Sequence, residues 1–131
     1  MDVLMPKGWA APIGYANGIA AKPGRIVFVA GQVGWDENQK FQSEDIVPQF
    51  EQALKNIVAV LAAGGAKPEH IARMTWYVTD KQEYLRAGPQ IGRAFRELIG
   101  HYDIAMTAVQ VTALMENRAK VEIEVTAVVP D

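Results

Sequence analysis

The sequence predicts an α+β domain in which a mixed sheet of about six strands packs two helices on one face. The first observation is strict alternation of apolar and polar residues in two late stretches, Met106–Leu114 and Ala119–Val129. The second is the recurrence of apolar residues at helical spacing in two internal stretches. The third is the order of the segments along the chain. Strand-like segments come before and between the helical segments, which is typical of a sheet and helices that share one core.

The composition fits a single domain that covers residues 1–131. Half of the residues are apolar and 21% are charged, so the core needs no metal or disulfide to hold it. The chain has no cysteine, which excludes a disulfide framework, a cysteine-ligated zinc site and a cysteine nucleophile. Its net charge is -2, with 13 scattered basic residues and 15 acidic ones, and this balance argues against a nucleic-acid partner.

The N-terminal stretch is rich in turn-forming residues. Its first residues, Met1–Lys7, lack the basic region and long apolar run of a signal peptide, and no later stretch approaches membrane-spanning length. We therefore expect a cytoplasmic protein without a membrane partner. Proline and glycine recur so densely up to residue 24 that short extended pieces and turns are expected. Trp9 and Tyr15 lie there, either as lids on the core or as part of a ligand pocket.

The first long strand is predicted at Arg25–Val33. Its centre, Ile26–Val29, is a β-branched and aromatic run of the kind that is buried on both faces. Gly31 and Gly34 follow, where the absence of a side chain lets the backbone approach another chain or a ligand closely. These glycines do not form a phosphate-binding loop, because neither the lysine nor the helix of such a loop comes next.

The first helix is predicted to begin after a cap at Ser43 or Asp45 and to end at Gly64-Gly65. Its apolar stripe has the spacing of core packing and contains no cofactor-binding pattern, so no cofactor is expected. The stripe consists of Phe50, Leu54, Ile57, Val58 and Leu61.

A further strand, Ile71–Thr79, precedes the second helix. Asp80 begins a single helical turn by capping, and the helix proper is predicted from Pro89 to Gly100. The two histidines, His70 and His101, lie about thirty residues apart in or near turns and lack metal-ligand spacing, so we expect surface residues and no metal site.

The last two strands are predicted to pair as an antiparallel hairpin across the polar connection Met115–Arg118. The second arm places Glu122 and Glu124 on one face and apolar residues on the other. Two interpretations of the polar face remain open. It lies in water, or another subunit covers it and makes its carboxylates acid–base groups near an interface. The apolar run Ile26–Val29 favours an oligomer, since its second face also needs cover.

Five segments together resemble the RidA family, also called YjgF/YER057c/UK114 and often labelled endoribonuclease L-PSP. The likeness extends from about Tyr15 to Val129. It implies a chorismate-mutase-like fold and a homotrimer whose sheets form a central barrel, with three small-molecule clefts between subunits. It also implies hydrolysis of reactive enamines or imines, such as 2-aminoacrylate, to a ketoacid and ammonia. The segments are Val27–Gln32, Ala62–Gly65, Thr75–Asp80, Val109–Val111 and Val121–Glu124.

The resemblance also assigns roles. Glu122 falls on the glutamate that orients the attacking water, and is the expected catalytic residue. Gly31 falls on the cleft glycine whose backbone faces the ligand. Tyr15 falls on the tyrosine of a Gly-Pro-Tyr turn, which here reads Ile13-Gly14-Tyr15 without the proline. Trp35 is a further candidate for the cleft lining.

Met106 is the main departure from the family pattern. The deaminating members read Pro-Ala-Arg-Ser/Thr where this chain reads Ile104-Ala105-Met106-Thr107, so Met106 and Thr107 complete the expected substrate-binding set. A thioether cannot bind a carboxylate through two parallel hydrogen bonds as arginine does. Losing such an anchor costs roughly 2–5 kcal/mol of binding. The substrate is then expected to be larger, less anionic or aromatic-derived, such as 2-aminomuconate.

Small anionic substrates remain possible only if another arginine replaces the anchor. The candidates are Arg93, Arg96 and Arg118, each reaching into the cleft of a neighbouring subunit.

Three functions therefore follow from the sequence. The first is an enamine or imine deaminase with altered substrate choice. The second is a trimeric protein that binds a small molecule without turnover, which the methionine at position 106 favours. The third is RNA cleavage, implied by the family label and opposed by the acidic charge balance.

Overall fold

The computed structural model describes all 131 residues as six strands and three α-helices. None of the helices combines the length and apolar character that crossing a membrane requires. In chain order the elements are β1 (Asp2–Leu4), β2 (Gly18–Ala20), β3 (Gly24–Val33), α1 (Ile46–Ala63), a 3₁₀ turn (Pro68–His70), β4 (Ile71–Val78), α2 (Lys81–Arg86), α3 (Gly88–Leu98), β5 (Ala105–Gln110) and β6 (Val121–Pro130).

The α+β class is confirmed, but the six strands form two sheets. A main sheet has the order β3-β6-β4-β5, and β1 pairs with β2 in a separate two-stranded ribbon. The main sheet is mixed, since β4 and β5 are parallel while the other pairs are antiparallel. The ribbon strands are three residues each, within the proline- and glycine-rich segment that was expected to give only short extended pieces.

The predicted hairpin between the last two strands is wrong. Strand β4 lies between β5 and β6, and β6 uses both of its edges, one for β3 and one for β4. Strand β5 ends at Gln110 instead of continuing to Leu114, and the chain then crosses to β6 through irregular structure. Alternation identifies which residues of a strand share a face, but it does not identify the neighbouring strand.

The core lies between one face of the main sheet and the helices α1 and α3. The predicted stripe of α1 is confirmed, since Phe50, Leu54, Ile57 and Leu61 have no exposed surface. Across the interface, β4 and β6 present buried residues such as Met74 to this stripe. We call this the covered face of the sheet.

The helix ends follow the predictions in part. The Asp80 carboxylate accepts the Glu83 N–H at 3.1 Å and so caps α2 as expected. At α1 the N-cap residue is Asp45, but no side chain caps the helix, because Ser43 Oγ accepts the Asp45 N–H instead. Gly65 ends α1 with a φ of 72°, a conformation that favours glycine.

The other sheet face has no cover within the chain, and we call it the open face. The prediction that Ile26–Val29 is buried on both faces holds for one side only. Val29 is 3% exposed, whereas Ile26 and Phe28 are 56% and 75% exposed. The reason is that both helices pack on the covered face, as one-sided packing requires, so nothing in the chain reaches the alternate residues of β3.

Candidate functional site

A cleft of about 600 Å³ lies on the helix side of the molecule, and we call it the helix-side cleft. It lies between the N-terminal loop, the helices α2 and α3, and the start of β5. Two predicted site residues, Tyr15 and Met106, line it together. The volume lies within the range of about 300–1,000 Å³ that is usual for small-molecule sites.

Backbone pairing explains why these two residues meet. The N–H of buried Ala16 donates to the Ile104 carbonyl at 2.9 Å, and Ala16 forms a parallel bridge with Ala105. This contact ties the N-terminal loop to the start of β5. Met106 is in register with the buried Met74 of β4, so its side chain lies on the covered face and packs against the rim of the core.

Helix α3 forms one wall of the cleft with residues spaced by four. Gly88, Gly92 and Arg96 all line it, and residues at this spacing share one helix face. A Cβ added to Gly92 would lie 3.2 Å from Nη1 of Arg96, so the guanidinium extends back along the helix over the glycine. A Cβ added to Gly88 would meet nothing within 4 Å, which shows that the cleft is open there.

Aromatic side chains form the floor of the cleft. Trp76 packs edge-on to Tyr84 at a centroid distance of 6.3 Å and lies 5.7 Å from Phe95. Burial raises the pKa of the Tyr84 phenol, because the charged form would lose its hydration. The indole Nε1 of Trp76 is the one buried side-chain polar atom of the chain without a hydrogen-bond partner.

A second part of the predicted site lies at the junction of β3 and β6. Gly31 falls in an irregularity of register between Val29 and Gln32. A Cβ added to Gly31 would overlap the carboxylate of Glu122, so that carboxylate lies directly against the Gly31 backbone. Glu122 is half-buried, and its carboxylate makes no hydrogen bond or ion pair with any group of the chain.

The neighbours of Glu122 on the open face are set by the register of the sheet. Tyr77 pairs with Glu122 on one side and with Val109 on the other. The Tyr77 hydroxyl donates to Glu124 at 2.8 Å, which raises the pKa of Tyr77 and leaves Glu122 free. Thr107 is exposed on this same face, opposite in direction to Met106.

Trp35 lies in neither place. It contacts Phe41 at a centroid distance of 5.7 Å, and the guanidinium of Arg118 lies 5.4 Å from the centroid of Phe41. The Asn56 amide on α1 donates to the Trp35 carbonyl at 2.7 Å and fixes this segment to the helix. Arg118 also forms an ion pair with Glu44, so it is occupied away from the cleft.

One chain therefore separates the predicted site into three groups. Tyr15 and Met106 share the helix-side cleft. Gly31 and Glu122 share the β3–β6 junction, with Thr107 exposed on the same sheet face as Glu122. Trp35 lies apart from both, beside Phe41. Of the three candidate arginines, only Arg96 lines the cleft. Sequence reasoning missed the aromatic floor at Trp76 and Tyr84. It also missed the spacing of Gly88, Gly92 and Arg96, which could have indicated a helix face with two glycines and one arginine.

Comparison with known proteins agrees with this fold. The family described as Endoribonuclease L-PSP matches residues 8–129. Protein DfrA of Myxococcus xanthus is 33% identical over 115 residues, covering 87% of this chain and 84% of that protein. A 2-iminobutanoate/2-iminopropanoate deaminase of Salmonella typhimurium is 30% identical over 105 residues, covering 80% of each chain. The crystal structure of YyfB, a Rid-family protein of unknown function from Yersinia pestis, matches with a TM-score of 0.83 and 28% identity, covering 98% of each chain.

Proposed function

The chain belongs to the endoribonuclease L-PSP family, the RidA or YjgF family, and on that premise we propose that it is an enamine or imine deaminase. The observation that carries the proposal is the Glu122 carboxylate, which lies against the Gly31 backbone without any partner of its own. A relative in the same family is named as an imine deaminase.

The chemistry asks little of the protein beyond a positioned base. An enamine becomes an imine when its carbon gains a proton and its nitrogen loses one, and water then attacks the electrophilic imine carbon. The free carboxylate of Glu122 is suited to orient that water and accept its proton. The C–N bond breaks, the nitrogen takes up both protons of the attacking water, and the products are a carbonyl compound and ammonia.

The proposed site needs more than one copy of the chain. The cleft with Tyr15 and Met106 and the junction with Gly31 and Glu122 lie in different parts of one molecule. The exposed Ile26 and Phe28 on the open face give copies an apolar surface on which to pack. A homotrimer with inter-subunit clefts, which the family resemblance implies, is the assembly that we propose.

Ammonia release from imines generated in situ tests the catalytic role. We expect Glu122→Gln to lower the rate by about 10²–10⁴-fold, since it removes the base and leaves the size of the side chain unchanged. Glu124→Gln is the matched control, because Glu124 lies on the same strand and face but is occupied by Tyr77. Full activity of Glu122→Gln would refute the proposed mechanism.

Met106 supports a second candidate, a binding protein without turnover. Its thioether lines the cleft where the family's deaminating members are expected to carry the carboxylate anchor. Comparing the natural chain with Met106→Arg on 2-aminoacrylate separates the two. Activity gained only in Met106→Arg indicates a competent scaffold with a different natural substrate. A ligand that raises the melting temperature of a chain inactive in both forms favours the binding protein.

A further inference from the structure

We infer that Arg96 is the anion-binding residue of the helix-side cleft and that the cleft takes a carboxylate with an aromatic or large apolar body. This inference names a substrate class for the proposed deaminase. It rests on that proposed function, because it takes the reacting group of the substrate to be an enamine or imine. The anchor is thus supplied by a helix of the same chain, and not by the start of β5, where Met106 lies.

The first argument is the position of the guanidinium. Arg96 projects from the wall of α3 that carries Gly88 and Gly92, and its guanidinium extends back over Gly92 toward the open space at Gly88. The apolar body of a ligand can lie in the open space at Gly88, beside the guanidinium. The planar guanidinium can then donate two parallel hydrogen bonds to a carboxylate.

The second argument is charge. The two ion pairs of the chain join Arg118 to Glu44 and Lys120 to Glu83, so Arg96 has no carboxylate partner. Asp103 is the one acidic residue that lines the cleft, and it pairs with no cation. The other titratable residues of the lining are Tyr15, Tyr84, His101 and Tyr102.

The third argument is the floor of the cleft. Trp76, Tyr84 and Phe95 present aromatic surface, and Met106 adds a flexible thioether beside them. An aromatic imino acid fits this lining, whereas 2-aminoacrylate has no body to place against it.

Calorimetric titration of the full-length protein with stable ketoacids tests the inference, since a ketoacid carries a carbonyl where the substrate has its imine. We expect phenylpyruvate to bind at least about tenfold more tightly than pyruvate. Arg96→Gln should raise the Kd for phenylpyruvate about tenfold or more, and Arg96→Lys should restore part of the affinity.

Two further variants control for indirect effects. Arg93→Gln removes a charge from an exposed position of the same helix outside the cleft, and should leave the Kd within about twofold. Gly88→Leu places a side chain in the open part of the cleft without a clash at Cβ, and should weaken phenylpyruvate binding about tenfold.

Several outcomes would overturn the inference: no binding of phenylpyruvate at millimolar concentration, equal affinity for pyruvate, or an unchanged Kd in Arg96→Gln. These outcomes are separable from the fate of the proposed function. If ammonia release depends on Glu122 and the Kd for phenylpyruvate is unchanged in Arg96→Gln, only the inference about Arg96 fails. If binding depends on Arg96 and no imine is hydrolysed, only the deaminase proposal fails.

Discussion

The two faces of the main sheet differ although the same strands build them. On the covered face, Met74 and Ile123 have no exposed surface and contact the helices. On the open face, the outward residues of these strands include Tyr77 and Glu122, which remain in contact with solvent. The two sides of β4 and β6 therefore have different roles. The inward residues hold the fold, while the outward residues are free for chemistry and for contact with other copies.

Two glycines in or next to β3 differ in a similar way, since one lies against the core helix and the other against a side chain of the open face. At Gly34 a Cβ would lie 2.6 Å from backbone atoms of Gln49 in α1, so the glycine lets a helix approach the sheet. At Gly31 a Cβ would instead meet the end of the flexible Glu122 side chain. The first glycine serves packing, and the second positions a candidate catalytic group.

The largest effect is expected when a phenylalanine in the core is compared with one on the open face of the sheet. Phe50→Ala should lower the free energy of unfolding by about 3–5 kcal/mol, because it opens a cavity in the core. Phe28→Ala, at 75% exposed, should cost less than about 1 kcal/mol in dilute protein and weaken self-association. Urea unfolding and sedimentation at several protein concentrations measure both. Equal losses in dilute protein would show that the two faces do not differ as described.

An intermediate effect compares the two glycines. Gly34→Ala should cost about 1–3 kcal/mol, since the backbone of α1 has to move. Gly31→Ala should change stability by less than about 0.5 kcal/mol, but it displaces the Glu122 carboxylate and should lower ammonia release roughly 10²-fold. Urea unfolding and steady-state rates separate these outcomes. A stable and fully active Gly31→Ala variant would contradict the assigned role of the glycine.

The smallest expected effect concerns how much Tyr84 and Tyr77 each contribute to the loss of folding stability at alkaline pH. The pKa of each phenol is raised from the usual 10.0, that of Tyr84 by burial and that of Tyr77 by its hydrogen bond to Glu124. The folded state therefore holds these protons more tightly than the unfolded state, and stability falls as the pH rises above about 10.

Urea unfolding between about pH 9 and 11 checks this expectation. Tyr84→Phe should reduce the decrease in the free energy of unfolding with rising pH, and it should do so with either Glu or Gln at position 124. Glu124→Gln should reduce only the part due to Tyr77, because it removes the charged acceptor. A fall that is unchanged in Tyr84→Phe would show that burial of this phenol does not couple to folding.

Local pattern predicted the parts of the fold that depend on neighbouring residues. The stripe of α1, the cap at Asp80 and the separation of Glu122 from Ile123 onto opposite faces all follow from the spacing of residues along the chain. The segments that resemble the RidA family gave the class of fold correctly. The direction of Met106 and Thr107 to opposite faces follows from alternation too.

The sequence by itself thus determined the class of fold, the apolar stripe of α1, the division of β6 into a polar and an apolar face, and the family. Only the tertiary structure decided that β4 separates β5 from β6, and that the buried Gln49 connects α1 to the segment before β6 by accepting the Lys120 N–H at 2.8 Å. It also decided that Arg96 shares a cleft with Met106 while Glu122 lies elsewhere. The physical reason is that periodicity fixes which way a side chain points, whereas strand order and clefts depend on contacts between residues far apart in the chain.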